Sequence, residues 1–155
     1  MKQVERTFIA VKPDGVERGL VGNIIRRFEH KGFKLIAMKM LNVTPEMAKA
    51  HYAEHVGKPF YERLINYIQA GPIVAMVWEG LDVIKGARVI MGSTNPNEAQ
   101  VGTIRADFAQ VMEYNVVHGS DSLESAEREI SIYFKPEEIC DKYENMSEIL
   151  KERLG

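Results

Sequence analysis

Much of what this chain lacks limits what it can be. It has a single cysteine, Cys140, which rules out an intrachain disulfide and a cysteine metal cage. A partly buried thiol in a C-terminal helix is the expected setting for it. No apolar run approaches the roughly 18 residues that a membrane helix needs, and the opening "MKQVERTFIAVKPDG" carries charge where a secretory leader needs an apolar stretch. A cytoplasmic protein without a membrane partner is expected. An excess of one charge is also missing, since 20 Lys and Arg stand against 22 Asp and Glu. The densest basic pair is Arg26 and Arg27, so no continuous basic stripe exists for a phosphate backbone, and dedicated nucleic-acid binding is not expected. The glycine loops that cradle phosphates are absent too: no G-x-x-x-x-G-K-[ST] occurs, and "GVERGLVG" does not fit G-x-G-x-x-G. Any nucleotide must be held without one.

What is present is ordinary globular material, 45% hydrophobic and 27% charged over 155 residues. That is enough for one substantial core, so a single domain over residues 1–155 is expected. Short strands alternate with helices. "RTFIAVK" (6–12) is an apolar, β-branched run closed by the turn "PDG", which makes it a buried strand ending at Lys12. Val21, Ile24, Ile25 and Phe28 repeat at helical spacing, with Gly32 as the stop. "FKLIAMKML" (33–41) is a second strand. A helix follows from the Thr44 cap, with Pro45 at its first position, to about His55. Another carries Phe60, Leu64, Ile65 and Ile68. "IVAMVWE" (73–79) is the third strand, and Asp82 caps a helix through Val83, Ile84, Ala87 and Ile90. From Ser93 to about Tyr114 the chain has no clear period, and loops of that length in compact domains are usually functional. "NVVH" is the fourth strand. The order βαβ, helical pair, βαβ predicts an α+β sandwich: a ferredoxin-like split βαβ fold with a four-stranded antiparallel sheet and an inserted helical hairpin.

The stretch "NVVHGSDSLESAEREI" (115–130) packages His118 in a way that a core histidine does not need. Gly119 allows close backbone approach or a sharp turn. Ser120, Asp121 and Ser122 are helix-capping types, and Leu123, Ala126 and Ile130 recur near the helical period. A strand thus ends at a histidine, turns, and enters a helix whose first N–H groups attract anions. Lys12 sits at another strand end, Arg88 projects from the helix before the long loop, and Thr94, Asn95 and Arg105 lie in that loop. Guanidinium groups fork onto phosphate oxygens and hydroxyls donate to them, so lysine, threonine and two arginines make a set for polyphosphate. Glu129, seven residues after Ser122 on the same helix, can face back to the strand end and orient the imidazole as the third member of a triad-like arrangement. Ser120 can assist.

Over nearly its whole length the chain resembles the nucleoside diphosphate kinase family. The segments "VKPDGVERGLVGNIIRRFE", "HYAEHVGKPFYERL", "GPIVAMVWEG", "GSTNPNEAQVGTIRADF" and "NVVHGSDSLESAEREI" stand in that family's order and spacing, and N-x-x-H-G-S-D-S is specific to it. The resemblance implies transfer of a γ-phosphate from a nucleoside triphosphate to a nucleoside diphosphate by a ping-pong route through a phosphohistidine on His118. It implies that Phe60 stacks on the base, that Arg88, Thr94 and Arg105 hold phosphates, and that Lys12 and Asn115 contact the sugar 3'-hydroxyl. Lys12 and Tyr52 stand near the transferred group. Mg2+ travels with the nucleotide phosphates, and no metal ion held by the protein itself is expected. Stacking on Phe60 accepts any base, so broad base specificity follows. A homo-oligomer is implied, a hexamer ahead of a tetramer.

Two other readings stand beside this one. "HYAEH" (51–55) fits H-x-x-E-H, in which two histidines four apart on a helix bind zinc and the glutamate acts as base. A phosphocarrier would use His118 but would not need Phe60, Asn115 and the arginines arranged for a nucleotide. The chain also departs from its apparent family. Ala106 replaces a common glycine, Val101 replaces a proline that steadies the long loop at a subunit contact, and "CDKYENMSEILKERLG" reads as an amphipathic helix with Ile149 and Leu150 in place of the usual closing segment.

Overall fold

The computed structural model describes residues 3–154, apart from the side chain of Ser147. Strand β1 (Val4–Val11) is the spine. Its Phe8 and Ala10 enter one core cluster and its Ile9 and Val11 the other, the period-2 alternation of a strand covered on both faces. β3 (Ile73–Leu81) repeats the pattern, with Ala75 and Val77 on the first face and Val74, Met76 and Trp78 on the second. The sheet runs β2-β3-β1-β4, where β2 is Lys34–Leu41 and β4 is Val117–Gly119. Every pairing is antiparallel. This is the predicted split βαβ arrangement.

The helices divide between the faces. α2 (Val21–Lys31) and α5 (Val83–Met91) bury Ile24, Phe28, Val83, Ile84, Ala87 and Met91 against one face. α3 (Pro45–His51), α4 (Tyr61–Ile68) and α7 (Leu123–Tyr133) bury Ala48, Ile68 and Tyr133 against the other. α1 (Pro13–Glu17) and α6 (Ile104–Phe108) are single short turns, and α8 (Met146–Leu154) closes the described chain. No helix among the described residues is long and apolar enough to cross a membrane.

Several local expectations shift. "PDG" continues into α1 rather than turning, because Pro13 at the first helical position is preorganised for it. The helix begun at the Thr44 cap stops at Tyr52, and Ala53–His55 is a separate 3-10 turn. Asp82 precedes α5 in the left-handed region, at φ 49°, without a capping side-chain bond. The stretch 93–114 holds 3-10 turns at Pro96–Glu98 and Met112–Tyr114 as well as α6, elements too short to show a period. Cys140 is exposed and lies before α8, not in a helix. The C-terminal amphipathic helix forms as α8.

Gly119 answers to close approach. A Cβ built there stands 2.8 Å from Met91 Sδ of α5 and 3.0 Å from Ile9 Cδ1 of the neighbouring β1, both buried. Gly119→Ala should destabilise the fold by about 1 to 3 kcal/mol through overpacking. Urea unfolding measures it, and unchanged stability would show that Met91 swings aside freely.

Candidate active site

The site begins with a backbone anomaly. Val116, buried and β-branched, has φ 75°, and the N–H of Val117 donates to Asn115 O at 2.8 Å. Together these make a three-residue turn of the strained, positive-φ hand. It reverses the chain just before β4 and sets His118 opposite Ala10 of β1. The turn is held from several sides. Lys12 N–H donates to Val116 O at 2.8 Å. Arg105 donates through Nη2 to Val117 O at 2.7 Å, through Nη1 to Gly92 O at 2.9 Å and through Nε to Asn115 O at 3.4 Å. The Asn115 side chain donates to Thr94 O at 3.0 Å and accepts from Lys12 Nζ at 2.8 Å.

Behind the histidine stands α7. Ser122 caps it by accepting from Ser125 N at 3.0 Å, which satisfies one of the free N–H groups of its first turn. The helix then carries Glu129 inward, where it is 4% exposed. His118 Nε2–H donates to Glu129 Oε1 at 2.7 Å, and Ser120 Oγ donates to the same oxygen at 2.9 Å. Ser120 itself accepts from Phe8 N at 3.2 Å. Glu129 is therefore anchored to the sheet, and through it the imidazole ring is oriented.

Around the ring opens a cavity of about 230 Å³ bordered by Lys12, Tyr52, Arg88, Thr94, Arg105, Asn115, His118 and Glu129. Eight of the ten residues expected at the site thus meet at one place. The other two stand next to it. Ser120 lies buried behind Glu129, and Phe60, 37% exposed, precedes α4 and touches the rim through His55, whose ring centroid is 5.5 Å from its own. The cavity is cationic. Burial, then Arg105, pull the Lys12 ammonium down to about 8, and burial, then Arg88, pull the Arg105 guanidinium down to about 10. Both shifts record first the loss of solvent around a cation and then the neighbouring positive charge, which Asp14 offsets only in part at Lys12. Burial, and then Glu129, push the Tyr52 hydroxyl above its usual range.

Some of the site was not foreseen. His51, Glu54, His55, Asp121, Ser125 and Arg128 border the same cavity. Arg128 Nη2 lies 3.7 Å from Glu129 Oε2 and 3.5 Å from Glu54 Oε1, linking α7 to the segment after α3. Asp121 sat in the motif, but nothing local separates a site aspartate from a capping one. The zinc pattern at 51–55 is not met on one helix: α3 ends at His51, and His51 is buried while His55 lies in the 3-10 turn.

Such a sheet, with a held histidine at the end of a short outer strand and a cationic hollow before it, marks an enzyme that handles phosphate groups. The comparisons with known proteins are specific. Residues 5–139 match the family model described as nucleoside diphosphate kinase, and the chain belongs to that family. It is 57% identical over 141 residues to the nucleoside diphosphate kinase B of Homo sapiens and to that of Rattus norvegicus, covering 91% of this chain and 93% of each relative. Among solved structures, a nucleoside diphosphate kinase of Halobacterium salinarum in complex with CDP superposes with a TM-score of 0.91 at 43% identity, covering 96% of this chain and 99% of that one. A family member from Babesia bovis gives 0.90 at 46% identity, covering 94% and 99%. The protein is an enzyme that transfers phosphate between nucleoside triphosphates and nucleoside diphosphates.

Arg105 serves the backbone before it serves any ligand, since three of its five N–H groups already reach carbonyls. Arg105→Lys should lower unfolding stability by about 1 to 3 kcal/mol, because one ammonium cannot span carbonyls on both sides of the turn and leaves buried acceptors bare. Stability equal to wild type by calorimetry would show that the turn holds without the fork.

Proposed function

We propose that the phosphate passes through His118 in two half-reactions. The observation that carries this is the 2.7 Å hydrogen bond from His118 Nε2 to Glu129 inside a cavity ringed by lysine and arginine. With Nε2 carrying the proton, Nδ1 keeps its lone pair. A neutral imidazole attacks through that lone pair and needs no separate base.

In the first half-reaction the Nδ1 lone pair attacks the γ-phosphorus of the triphosphate. The bond from that phosphorus to the β–γ bridging oxygen breaks, its electron pair leaves with the nucleoside diphosphate, and an N–P bond forms on His118. In the second, a terminal oxygen of an acceptor's β-phosphate attacks the same phosphorus, the N–P bond breaks and the imidazole is restored. Glu129 stabilises the positive charge that builds on the ring, and Ser120 holds Glu129 in place. Lys12, Tyr52, Arg88, Thr94 and the two free N–H groups of Arg105 meet the phosphates, where phosphoryl transfer depends on charge stabilisation above all.

Phe60 stacks on the base and, having no hydrogen-bonding edge, accepts purines and pyrimidines alike. Asn115 and Lys12 hold the sugar. Mg2+ enters as part of the nucleotide. The carboxylates bordering the cavity are Glu54, Asp121 and Glu129, and Glu129 is committed to His118, which suits a hard cation bound chiefly through phosphate oxygens. The same proposal takes the protein to be a single-domain, cytoplasmic homo-oligomer, a hexamer before a tetramer. Apolar surface such as Val101, 93% exposed, is what association would cover.

Incubation with ATP and magnesium without acceptor should leave a phosphoryl group that is acid-labile and alkali-stable, and His118→Asn should remove both the label and nucleotide exchange. Label persisting in that variant, or resisting acid, moves the nucleophile to a serine such as Ser120 or Ser122. A pH dependence follows as well. Lys12 is charged below about 8 and neutral above it, so kcat/KM should decline as pH rises through that value. A profile flat to well above it would remove the ammonium from the reaction.

A further inference from the structure

The nucleotide mechanism leaves one atom of the site without a task. His51 is 4% exposed, its Nδ1 shares a 2.8 Å hydrogen bond with Tyr133 Oη, and its buried Nε2 has no partner. The ring borders the active-site cavity and lies across the His118 ring, with centroids 4.4 Å apart and planes at 67°. One nitrogen of His51, one nitrogen of His118 and one carboxylate oxygen of Glu129 lie within 4.8 Å of one another. Two imidazoles and a carboxylate are a zinc ligand set, with the fourth position open to water.

We infer that His51, His118 and Glu129 form a binding site for a zinc-class divalent cation, competing with phosphorylation of His118. Bonds of about 2.0 to 2.2 Å to a tetrahedral ion put its donors roughly 3.3 Å apart. The three groups must therefore close by up to roughly 1.5 Å, and His118, at the cavity wall on a strand end, is the one with room to turn. Tyr133 supplies the outer support that metal-bound histidines use: with His51 Nδ1–H donating to Tyr133 Oη, the Nε2 lone pair is turned away from Tyr133 and free for a metal. The nitrogen-rich set favours zinc, cobalt, nickel or copper over magnesium, so the ion that travels with the nucleotide does not fill it. An ion on the His118 nitrogen that faces Glu129 replaces that hydrogen bond and moves the ring proton to the opposite nitrogen, which removes the lone pair that phosphorylation needs. The inhibition, though not the binding, rests on His118 being the nucleophile.

The test uses the full chain, unphosphorylated, with excess Mg2+ present throughout. Co2+ is added with its visible absorption recorded, and Zn2+ binding is measured by calorimetry. One ion per chain with the strong absorption of a four-coordinate site is expected. His51→Phe, which keeps a ring against Phe8 and Tyr52, should weaken binding by about tenfold or more, while His55→Ala should leave it unchanged. Equal affinity in His51→Phe, loss of binding in His55→Ala, or no saturable binding would overturn the site. If His51→Phe does not fold, the wild-type protein decides: phosphorylation by ATP beforehand should abolish Zn2+ binding, and undiminished binding to the phosphorylated chain sinks the proposal. Failure to phosphorylate at all counts against His118 as nucleophile, and the Co2+ spectrum and His51→Phe still judge the metal site.

Discussion

The positive-φ turn at Val116 is the constraint on which the site depends. A buried β-branched residue at φ 75° costs on the order of 1 to 3 kcal/mol and persists only where its surroundings leave no alternative. Here Lys12 N–H holds the carbonyl of the strained residue, and Arg105 holds the carbonyls on either side of it. The reversal makes β4 three residues long and ends it at the cavity mouth. Without it, the antiparallel ladder with β1 would continue and His118 would stand one place among many in a sheet.

The same residues do two kinds of work, and the electrostatics follow from that. Lys12 and Arg105 are held by bonds to Asn115 and to backbone carbonyls that do not neutralise them, and Arg88 borders the same cavity from α5. The depressed values of Lys12 and Arg105 reflect burial first and the neighbouring cation second. Under the proposed function, a polyphosphate adds the negative charge that Asp14 and Asp121 supply only in part. Glu129 is the opposite case: a single buried carboxylate satisfied by Ser120 and His118 together, with Arg128 beside its second oxygen. Its bonds to Ser120 and His118 point one carboxylate oxygen at the imidazole.

Outside the span matched to the family, residues 140–154 are tied to the sheet's edge strand. Cys140 N–H donates to Ile36 O at 2.6 Å and Tyr143 Oη donates to Leu35 O. Lys34, 1% exposed, donates to Asp141 O at 2.6 Å, pairs with Glu148 and lies over the Tyr143 ring. A buried lysine so surrounded is satisfied rather than stranded. The segment covers part of a free strand edge, which otherwise invites unwanted pairing.

The strands, the amphipathic helices and the fold class were legible because each rests on local period: the two-residue alternation of β1 and β3, the helical spacing of Val21 to Phe28, the caps at Thr44 and Ser122. That His118, Glu129 and Lys12 would come together was legible because small polar residues and strand ends mark candidate sites. Local pattern fell short where elements are shorter than their own period, as at α1 and through 93–114, and where a helix gave way at Tyr52 between two histidines that sequence spacing had paired. The Val116 turn, Arg105's three carbonyls and the unpartnered nitrogen of His51 came only from the tertiary structure. Each joins residues far apart in the chain or depends on burial, and neither distance in space nor loss of solvent is encoded in the spacing of neighbours.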